Sequence, residues 1–296
     1  MNGPRHFGAV MSAMVTPFDA QGRLDLDAAQ RLARWLVAHG NDGLAVAATT
    51  GEAATLSDAE RRDLVRAVCE AVTVPVLAGT GTNDTAHTIA LTREARGLGA
   101  AGVLLVGPYY NRPPQAGIEA HFRAAAAATD LRVMIYDVPL RTGRRIAHEV
   151  LLRLFREVPN IVAFKDATGD PGAAAVLVAE AGEHLDLYCG DDSLTLPLPA
   201  IGAVGVVGTS THWTGLQFTR LIAAFQAGRV EEARAINARL LESFAFINSD
   251  ESVFPMSIKA MLRALGQEVG DCRLPLLPAP ADVRERAAGV WERLNR

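Results

Sequence analysis

The chain has 296 residues, of which 49% are apolar and 21% are charged, and its formal net charge is −4. This mild acidity excludes a broad basic face for nucleic acid or anionic lipid. No apolar run approaches the roughly 20 residues that span a bilayer, and the opening residues lack the apolar stretch of a signal peptide. Three cysteines far apart in sequence do not make a disulfide framework. We therefore expect a cytoplasmic globular protein without a nucleic-acid or membrane partner.

Short β-rich apolar runs recur along the first two thirds of the chain. They are Ala9–Phe18, Gly43–Ala48, Val74–Thr80, Gly102–Pro108, Arg132–Val138, Ile161–Ala167, Leu185–Gly190 and Ala203–Thr209. The first six begin roughly 30 residues apart, which is the length of one strand, one helix and their loops. Because the runs are apolar on both faces, they are typical of parallel strands that helices cover.

The gaps between these runs are predicted to be amphipathic helices. Leu26–Ala38 and Thr85–Leu98 carry apolar residues on one face and charged residues on another. Ser57–Ala71 opens with Ser57, and Glu60 three residues later completes a capping-box signature. Eight strand–helix units predict an α/β fold, a closed (β/α)8 TIM barrel, with an open doubly wound sheet as the alternative.

The last part of the chain is helical without intervening strands. Helical patterns cover Phe218–Ala227, Val230–Phe246, Val253–Leu265 and Ala281–Asn295. We interpret these segments as a helical appendage that packs on the barrel. The predicted boundary separates a catalytic barrel of residues 1–226 from a C-terminal helical region of residues 227–296.

No motif in the sequence predicts a cofactor or a metal. Residues Gly97–Gly102 match the glycine spacing of a dinucleotide fingerprint, but a helix precedes them and a strand follows, which is the reverse of what that site needs. The seven histidines are scattered, without the close pairs of a zinc site. Asp191 and Asp192 could hold magnesium, although helix capping and loop hydrogen bonding explain them more simply. We expect neither a cofactor nor a metal.

Lys165 is the most informative residue at the carboxyl ends of the strands, where barrel enzymes carry their reactive groups. The chain has only two lysines, Lys165 and Lys259, against abundant arginines. Alternation along the sixth strand predicts that Lys165 shares a face with Ile161 and Ala163. If that face points into the barrel, burial lowers the lysine pKa and makes its amine a nucleophile toward carbonyls. A lysine that is salt-bridged at the barrel mouth is the alternative.

Five more strand-end residues suit a carbonyl substrate that carries a carboxylate. Tyr136 lies one strand before the lysine, where its phenol can move a proton, or where it is simply a core tyrosine. Thr49 and Thr50 offer hydroxyls and backbone N–H groups to a carboxylate, although threonine also closes strands. Arg141 offers a planar fork suited to a carboxylate, or is a surface arginine. Tyr110 lies in a segment stiffened by prolines, which suits a fixed aromatic side chain.

Six stretches of the chain jointly resemble the dihydrodipicolinate synthase family, part of the wider N-acetylneuraminate lyase group of pyruvate aldolases. They are Thr49–Leu56, Gly79–Asn83, Pro108–Pro113, Tyr136–Gly143, Lys165–Asp170 and Gly190–Asp192. The stretches occur in the order of the family, and weaker similarity covers nearly the whole chain.

The resemblance implies a homotetramer, built as a dimer of dimers, in which Lys165 forms a Schiff base with pyruvate. It also implies that Tyr136, Thr49 and Tyr110 form a proton relay, with Tyr110 reaching into the site of the neighbouring subunit. By the same resemblance, Thr50 holds the carboxylate of pyruvate.

The reaction that the resemblance implies is a condensation of pyruvate with L-aspartate 4-semialdehyde to 4-hydroxy-tetrahydrodipicolinate, in the synthesis of lysine and diaminopimelate. Arg141 would bind the carboxylate of the semialdehyde, and Val207 would line the pyruvate pocket. A sibling lyase that cleaves a sugar acid, such as N-acetylneuraminate or 2-keto-3-deoxygluconate, would share the pyruvate-binding residues. A non-catalytic binding protein on the same barrel is disfavoured because every expected catalytic side chain is present.

The chain departs from the family pattern at several positions. Ala48 and Ala163 replace glycines, and Asp137 stands where asparagine is commoner. The segment Ser252–Lys259 matches the usual proline-rich stretch before this lysine only loosely. None of these departures removes a catalytic group.

Many members of the family are inhibited by lysine, which binds in a cleft between subunits. By resemblance, the corresponding positions in this chain are Asp58, Arg61 and His87. His87 stands where a glutamate receives the α-ammonium group of the effector, and histidine cannot supply that negative charge. Since Arg61 also adds a cation, we expect millimolar lysine to leave the rate almost unchanged.

Overall fold

The computed structural model describes residues 6–247 and 252–295 of the chain. Eight parallel strands form one closed barrel in chain order, and the last strand pairs with the first. The strands are β1 (Val10–Ala13), β2 (Gly43–Val46), β3 (Val76–Gly79), β4 (Gly102–Val106), β5 (Arg132–Asp137), β6 (Ile161–Asp166), β7 (Asp186–Cys189) and β8 (Gly205–Gly208). The predicted barrel is confirmed, and the open-sheet alternative is wrong.

Helices cover the outside of the barrel. They are α1 (Leu26–Ala38), α2 (Asp58–Ala71), α3 (Thr85–Ala95), α4 (Gln115–Ala126), α6 (His148–Glu157), α7 (Pro171–Ala181) and α8 (Thr211–Gln226). A single-turn helix, α5 (Pro139–Thr142), follows β5 at the carboxyl end of the barrel. The fully described connection between β7 and β8 contains two short 3-10 helices, Asp192–Leu194 and Leu198–Ile201, instead of the α-helix that a regular repeat predicts.

Two local predictions at helix ends are confirmed. The Ser57 hydroxyl accepts from the N–H of Glu60, and the Glu60 carboxylate accepts from the N–H of Ser57, which completes the capping box of α2. The glycine-rich segment 97–102 is a helix-to-strand turn, because a 3-10 helix ends at Gly99, whose φ is 90°, and β4 begins at Gly102. That left-handed φ favours glycine at the turn.

The last helices are α9 (Val230–Ile247), α10 (Met256–Ala264) and α11 (Ala281–Leu294). They pack on α8 and on one another. Helix α8 itself packs on β1 and β8, so it is the last helix of the barrel, and its assignment to the appendage was wrong. None of the helices within residues 6–247 and 252–295 combines the length and the apolar character needed to cross a bilayer.

The interior of the barrel is packed with side chains rather than open. It contains Phe7, Met11, Ala13, Ala45, Ala48, Leu77, Leu104, Met134, Tyr136, Val138, Ala163, Tyr188 and Val207. Phe7 closes the amino end, where a side chain in place of Gly102 would collide with its ring. The carboxyl end is left for the functional site.

A bulge in β6 decides which residues share the face of Lys165. Val133 pairs with Ile161, but Met134 pairs with Ala163, so Val162 is an extra residue in the sixth strand. Ala163 therefore lies in the interior cluster, as predicted from the alternation. Ile161 lies in the outer cluster beneath the helices, so its predicted place beside Lys165 is wrong.

Candidate active site

A cavity of about 450 Å³ lies at the carboxyl end of the barrel. Its wall includes the loop after β2, the ends of β4 and β5, helix α5, and two segments from the C-terminal region, residues 253–255 and 275–276. Four of the predicted site residues line it, namely Thr49, Tyr110, Tyr136 and Arg141. The carboxyl ends of barrel strands are where this fold carries its chemistry.

Lys165 does not itself line this cavity, but it lies beside Tyr136, which does. It pairs with Tyr136 across β5 and β6, and its Nζ lies 4.3 Å from the centroid of the tyrosine ring. Nζ makes no hydrogen bond or ion pair with any residue that the structure describes, so the alternative of a salt-bridged lysine is not what the structure has.

Burial controls the protonation of Lys165. With only 4% of the residue exposed, burial lowers its pKa to about 8, and the negative charge of Asp192 opposes this shift. Asp192 is itself fixed by hydrogen bonds from the N–H and hydroxyl of Thr209 and from the N–H of Ser210. Asp191 caps the following 3-10 helix, so both aspartates have the capping and loop roles that the sequence favoured.

Tyr136 is held as a neutral phenol. Burial raises its pKa to about 12, while the positive charge of Arg141 and a hydrogen bond with the Thr49 side chain oppose this shift. A phenol that stays protonated at neutral pH can donate its proton to an oxygen of the substrate and take another from Thr49. The hydroxyls of Tyr136 and Thr49 thus form a connected path beside Lys165.

The loop after β2 is held by several buried contacts. Thr16 donates its hydroxyl proton to the carbonyl of Gly51. The guanidinium of Arg61 donates to the carbonyls of Ala47, Gly79 and Ala53 at 3.2, 2.6 and 3.1 Å. Arg61 is therefore turned into the protein and committed to backbone carbonyls. Burial lowers its pKa.

Glu52 connects the same loop to the C-terminal region. Its Oε1 accepts from Nζ of Lys259 at 2.8 Å, and its Oε2 accepts from the N–H of Arg273 at 2.8 Å. Lys259 also donates to the carbonyl of Asp271, and the ring of Phe18 lies against both Lys259 and Arg273. This buried network spans more than 200 residues of sequence.

Sequence reasoning did not identify the partner of Lys259. The signal that could have indicated it is the scarcity of lysine together with a glutamate directly after Thr49, Thr50 and Gly51. A buried ammonium needs a partner, and Glu52 is the acidic residue in that loop.

Arg141 lies on the single-turn helix α5, immediately after β5. Its guanidinium carbon is 4.3 Å from the centroid of the ring of Phe254, which also lines the cavity. Arg145, four residues later, instead donates to Asp170 at 3.0 Å. Arg141 is thus a cavity residue, while Arg145 forms an exposed ion pair with Asp170.

Tyr110 lies at the mouth of the cavity and is 90% exposed. Its φ is 71°, and that of Arg112 is 45°, so two non-glycine residues in this short segment adopt the left-handed conformation. The side chain of Asn111 donates to the carbonyl of Asn83, which attaches the segment to the neighbouring loop.

Two predicted pocket residues are not among those that line the cavity. Val207 is fully buried inside the barrel on β8, and Thr50 is buried in the loop after β2.

The outer faces of the Lys165 and Tyr136 strands carry two carboxyl groups. Asp137 and Asp166 pair across β5 and β6 and line a second cavity of about 320 Å³ between the barrel and helices α6 and α7. Burial raises the pKa of Asp137 to about 7, the N–H of Ile146 opposes the shift, and the charge of Asp166 adds to it.

Comparison with known proteins identifies the chain's relatives. The sequence matches the Dihydrodipicolinate synthetase family over residues 6–292. The chain belongs to this family. It is 50% identical to a 4-hydroxy-tetrahydrodipicolinate synthase of Acidothermus cellulolyticus over 281 residues, which cover 94% of this chain and 90% of that protein. It is 46% identical to the synthase of Moorella thermoacetica over 288 residues, or 96% and 97% of the two chains.

A solved structure within the family is closely similar. The crystal structure of dihydrodipicolinate synthase from Cyanidioschyzon merolae with lysine bound superposes with a TM-score of 0.95 at 40% identity, covering 99% of each chain. The expected family membership and barrel fold are therefore confirmed.

The three positions predicted to face a lysine effector lie close together in this chain. His87 Nε2 is 3.0 Å from Oδ1 of Asp58, and both side chains are exposed. Arg61 donates to backbone carbonyls. Asp58 is the acidic residue of the three, and its carboxylate contacts His87.

Proposed function

We propose that the chain is a 4-hydroxy-tetrahydrodipicolinate synthase, a lyase that condenses pyruvate with L-aspartate 4-semialdehyde through a Schiff base on Lys165. The reaction serves the synthesis of lysine and diaminopimelate and needs no cofactor. The observation that carries the proposal is a buried lysine that has no carboxylate partner among the described residues and lies against a neutral tyrosine. Family membership supports the same activity.

The first half of the reaction uses the neutral amine of Lys165. Nζ attacks the ketone carbon of pyruvate, and the carbinolamine loses its oxygen as water to give an imine. Tyr136, whose phenol holds its proton at neutral pH, donates that proton to the departing oxygen. Thr49, hydrogen-bonded to the phenol, and Tyr110 return the proton along the relay.

The second half forms the carbon–carbon bond. Loss of a proton from the methyl group of the imine gives an enamine, whose carbon attacks the aldehyde carbon of the semialdehyde. The aldehyde oxygen takes up a proton from the relay and becomes the hydroxyl group of the product. The amino group of the semialdehyde then attacks the imine carbon and displaces Lys165, which closes the ring and frees the enzyme.

Two carboxylates must be bound for this chemistry. We assign the carboxylate of pyruvate to Thr50 and the buried β2 loop, with Val207 as the apolar contact of the pyruvate. The carboxylate of the semialdehyde is assigned to Arg141, which lines the cavity at the height of Tyr136. A bidentate pair between a guanidinium and a carboxylate is directional as well as charged.

The wall opposite α5 favours a short acidic aldehyde over a sugar acid. Val253, Phe254, Pro255, Pro275 and Leu276 present apolar surface to the cavity. The hydroxyls of a sugar acid would lose water against this wall without gaining hydrogen bonds in exchange. The Lys165 and Tyr136 chemistry alone would suit either substrate.

We also propose a cytoplasmic homotetramer, a dimer of dimers in which Tyr110 serves the neighbouring subunit. The exposure of Tyr110 in the single chain supports this assembly. Mixing inactive Tyr110→Phe and Lys165→Ala variants under conditions of subunit exchange should restore part of the activity, because each mixed dimer has one site with both residues intact. No recovery despite demonstrated exchange would place Tyr110 in its own subunit's site.

The substrate assignment is tested by turnover with a panel of aldehydes. Pyruvate with L-aspartate 4-semialdehyde should give the highest kcat/KM, and cleavage of N-acetylneuraminate or 2-keto-3-deoxygluconate should be negligible. Arg141→Ala should lower kcat/KM for the semialdehyde by about 2–4 kcal/mol, or roughly 30- to 1000-fold, with a smaller effect on the pyruvate KM. Arg145→Ala is the matched control, because Arg145 is committed to Asp170.

A further inference from the structure

The contact between Arg141 and Phe254 joins two distant parts of the chain across the cavity. Arg141 follows β5, whereas Phe254 comes shortly before α10 in the C-terminal region. The guanidinium carbon lies over the ring at 4.3 Å from its centroid. Arg141 is exposed and Phe254 is half-buried, so the pair forms part of the cavity surface rather than of the core.

The guanidinium of Arg141 lies against Phe254 without a polar partner among residues 6–247 and 252–295. It makes no hydrogen bond or ion pair with any residue that the structure describes. Two other arginines of the chain are different, because Arg145 donates to Asp170 and Arg273 donates to Glu60. No residue in the described part of the chain occupies an N–H donor of Arg141, and the ring of Phe254 covers one face of its guanidinium.

This arrangement suits the recognition of a carboxylate. The donors of a guanidinium lie in its plane, whereas an aromatic ring is attracted to its face, so stacking does not compete with a bidentate carboxylate. A protein carboxylate at the same place would fix the arginine equally well but would occupy the donors that the substrate needs. An aromatic partner fixes the side chain and leaves those donors free.

We propose that Phe254 is a positioning residue that sets the enzyme's affinity for the carboxylate-bearing aldehyde by holding Arg141 against its ring. The inference rests on the proposed function, in which Arg141 binds the semialdehyde. Phe254 lies in the segment Ser252–Lys259, which matches the usual family pattern only loosely. The C-terminal region thus contributes to substrate selection in this chain.

The test replaces the aromatic ring of Phe254 with an aliphatic side chain, so that the position stays apolar. Phe254→Leu should raise the KM for L-aspartate 4-semialdehyde by about three- to thirty-fold, which corresponds to the strength of a cation–π contact. The pyruvate KM and the yield of borohydride-trapped adduct should stay unchanged, because neither involves Arg141. Phe254→Tyr, which retains the ring, should keep the wild-type KM. Phe225→Leu, on α8, is the matched control for the loss of a partly buried phenylalanine.

A double-mutant cycle separates positioning from a structural role. In an Arg141→Ala background, Phe254→Leu should cause no further rise in the semialdehyde KM. An equal rise in both backgrounds, or a fall in kcat with the KM unchanged, would overturn the inference. The proposed function would be contradicted if the wild-type enzyme formed the pyruvate adduct but did not consume the semialdehyde. The inference would then fail with it. An unchanged semialdehyde KM in Phe254→Leu, with active wild type, would overturn the inference alone.

Discussion

Lys165 and Lys259 are the only lysines in the sequence, and their residues are 4% and 2% exposed. Each ammonium also lies against an aromatic ring, Tyr136 or Phe18, at nearly the same distance. They differ in what else they contact. Lys259 has the carboxylate of Glu52 at 2.8 Å, while Nζ of Lys165 has no hydrogen-bond or ion-pair partner among the described residues.

The difference teaches that burial alone does not make a lysine nucleophilic. Burial disfavours the charged form, and a carboxylate in contact restores it. Lys165 experiences the first effect, which the charge of Asp192 opposes without forming an ion pair, whereas Lys259 has a direct ion pair. Lys165 therefore has the environment that our proposal requires of a nucleophile, and Lys259 ties the C-terminal region to the loop that carries Thr49.

The largest expected effect on stability comes from breaking the partnered lysine. Lys259→Met leaves Glu52 buried without its cation and should lower the free energy of unfolding by about 3–5 kcal/mol. The change is measured as a fall in the thermal midpoint at pH 7 and fixed protein concentration.

A second variant shows whether the unpaired charge is the cause. Adding Glu52→Gln to Lys259→Met removes the buried charge and keeps an acceptor for the N–H of Arg273, so much of the lost stability should return. A double variant no more stable than Lys259→Met would mean that packing around Lys259, rather than charge pairing, stabilises this region.

Replacing Lys165 should raise the stability of the protein, which is the opposite of the loss expected on replacing Lys259. Its pKa falls from 10.5 to about 8 in the folded protein, so the folded state binds this proton more weakly than the unfolded chain. Below pH 8 the buried charge costs about 3 kcal/mol of stability, and this cost disappears as pH rises from about 8 to 10.5.

Lys165→Met should consequently abolish activity and raise the free energy of unfolding at pH 7. The increase in the free energy of unfolding should be smaller above pH 9.5. Urea unfolding of the variant and the wild type across this pH range measures the effect. A variant less stable than wild type at pH 7 would show that the Lys165 ammonium is stabilised by its surroundings.

The lowered pKa of Lys165 also predicts how the rate of Schiff-base formation depends on pH, which is a smaller effect. Because the neutral amine is the nucleophile, the rate of adduct formation should rise about tenfold per pH unit below pH 8 and level off above it. Stopped-flow measurement of imine formation with excess pyruvate follows this rate. A rate that continues to rise until pH 10 would mean that Lys165 titrates like an exposed lysine.

The smallest effect is expected from free L-lysine, whose ammonium groups also need carboxylate partners. At the cleft positions, Asp58 already contacts His87, and Arg61 is committed to carbonyls. Millimolar L-lysine should leave the initial rate almost unchanged at pH 7–8. Half-inhibition below about 1 mM, an affinity of roughly −4 kcal/mol, would show that this cleft binds the effector.

The fold was largely predictable from the sequence because eight apolar runs at regular spacing allow few other arrangements. All eight strands fall within the predicted runs. Two local features were not predictable. The connection between β7 and β8 replaces a helix with 3-10 turns, and the bulge at Val162 changes which residues face inward. Both depend on the strand register and the closure of the whole barrel, which cannot be predicted from the local periodicity of the sequence.

The candidate site likewise has a part that was predictable from the sequence and a part that was not. Lys165, Tyr136 and Thr49 follow from strand ends and from motifs that are each continuous in sequence. Glu52 with Lys259, and Arg141 with Phe254, pair residues more than 100 positions apart, so no local pattern could reveal them. The roles of the site residues, and the boundary between residues 226 and 227, stay predictions.

The central claim, that Lys165 rather than Lys259 is the nucleophile, is tested most directly by reductive trapping. Wild-type protein treated with pyruvate and borohydride should gain one reduced adduct per chain, and peptide mass spectrometry should place it on Lys165. The Lys165→Ala variant should gain none, and the Lys259→Met/Glu52→Gln variant should still be trapped at Lys165. An adduct on Lys259, or on neither lysine of the wild-type protein, would contradict the mechanism.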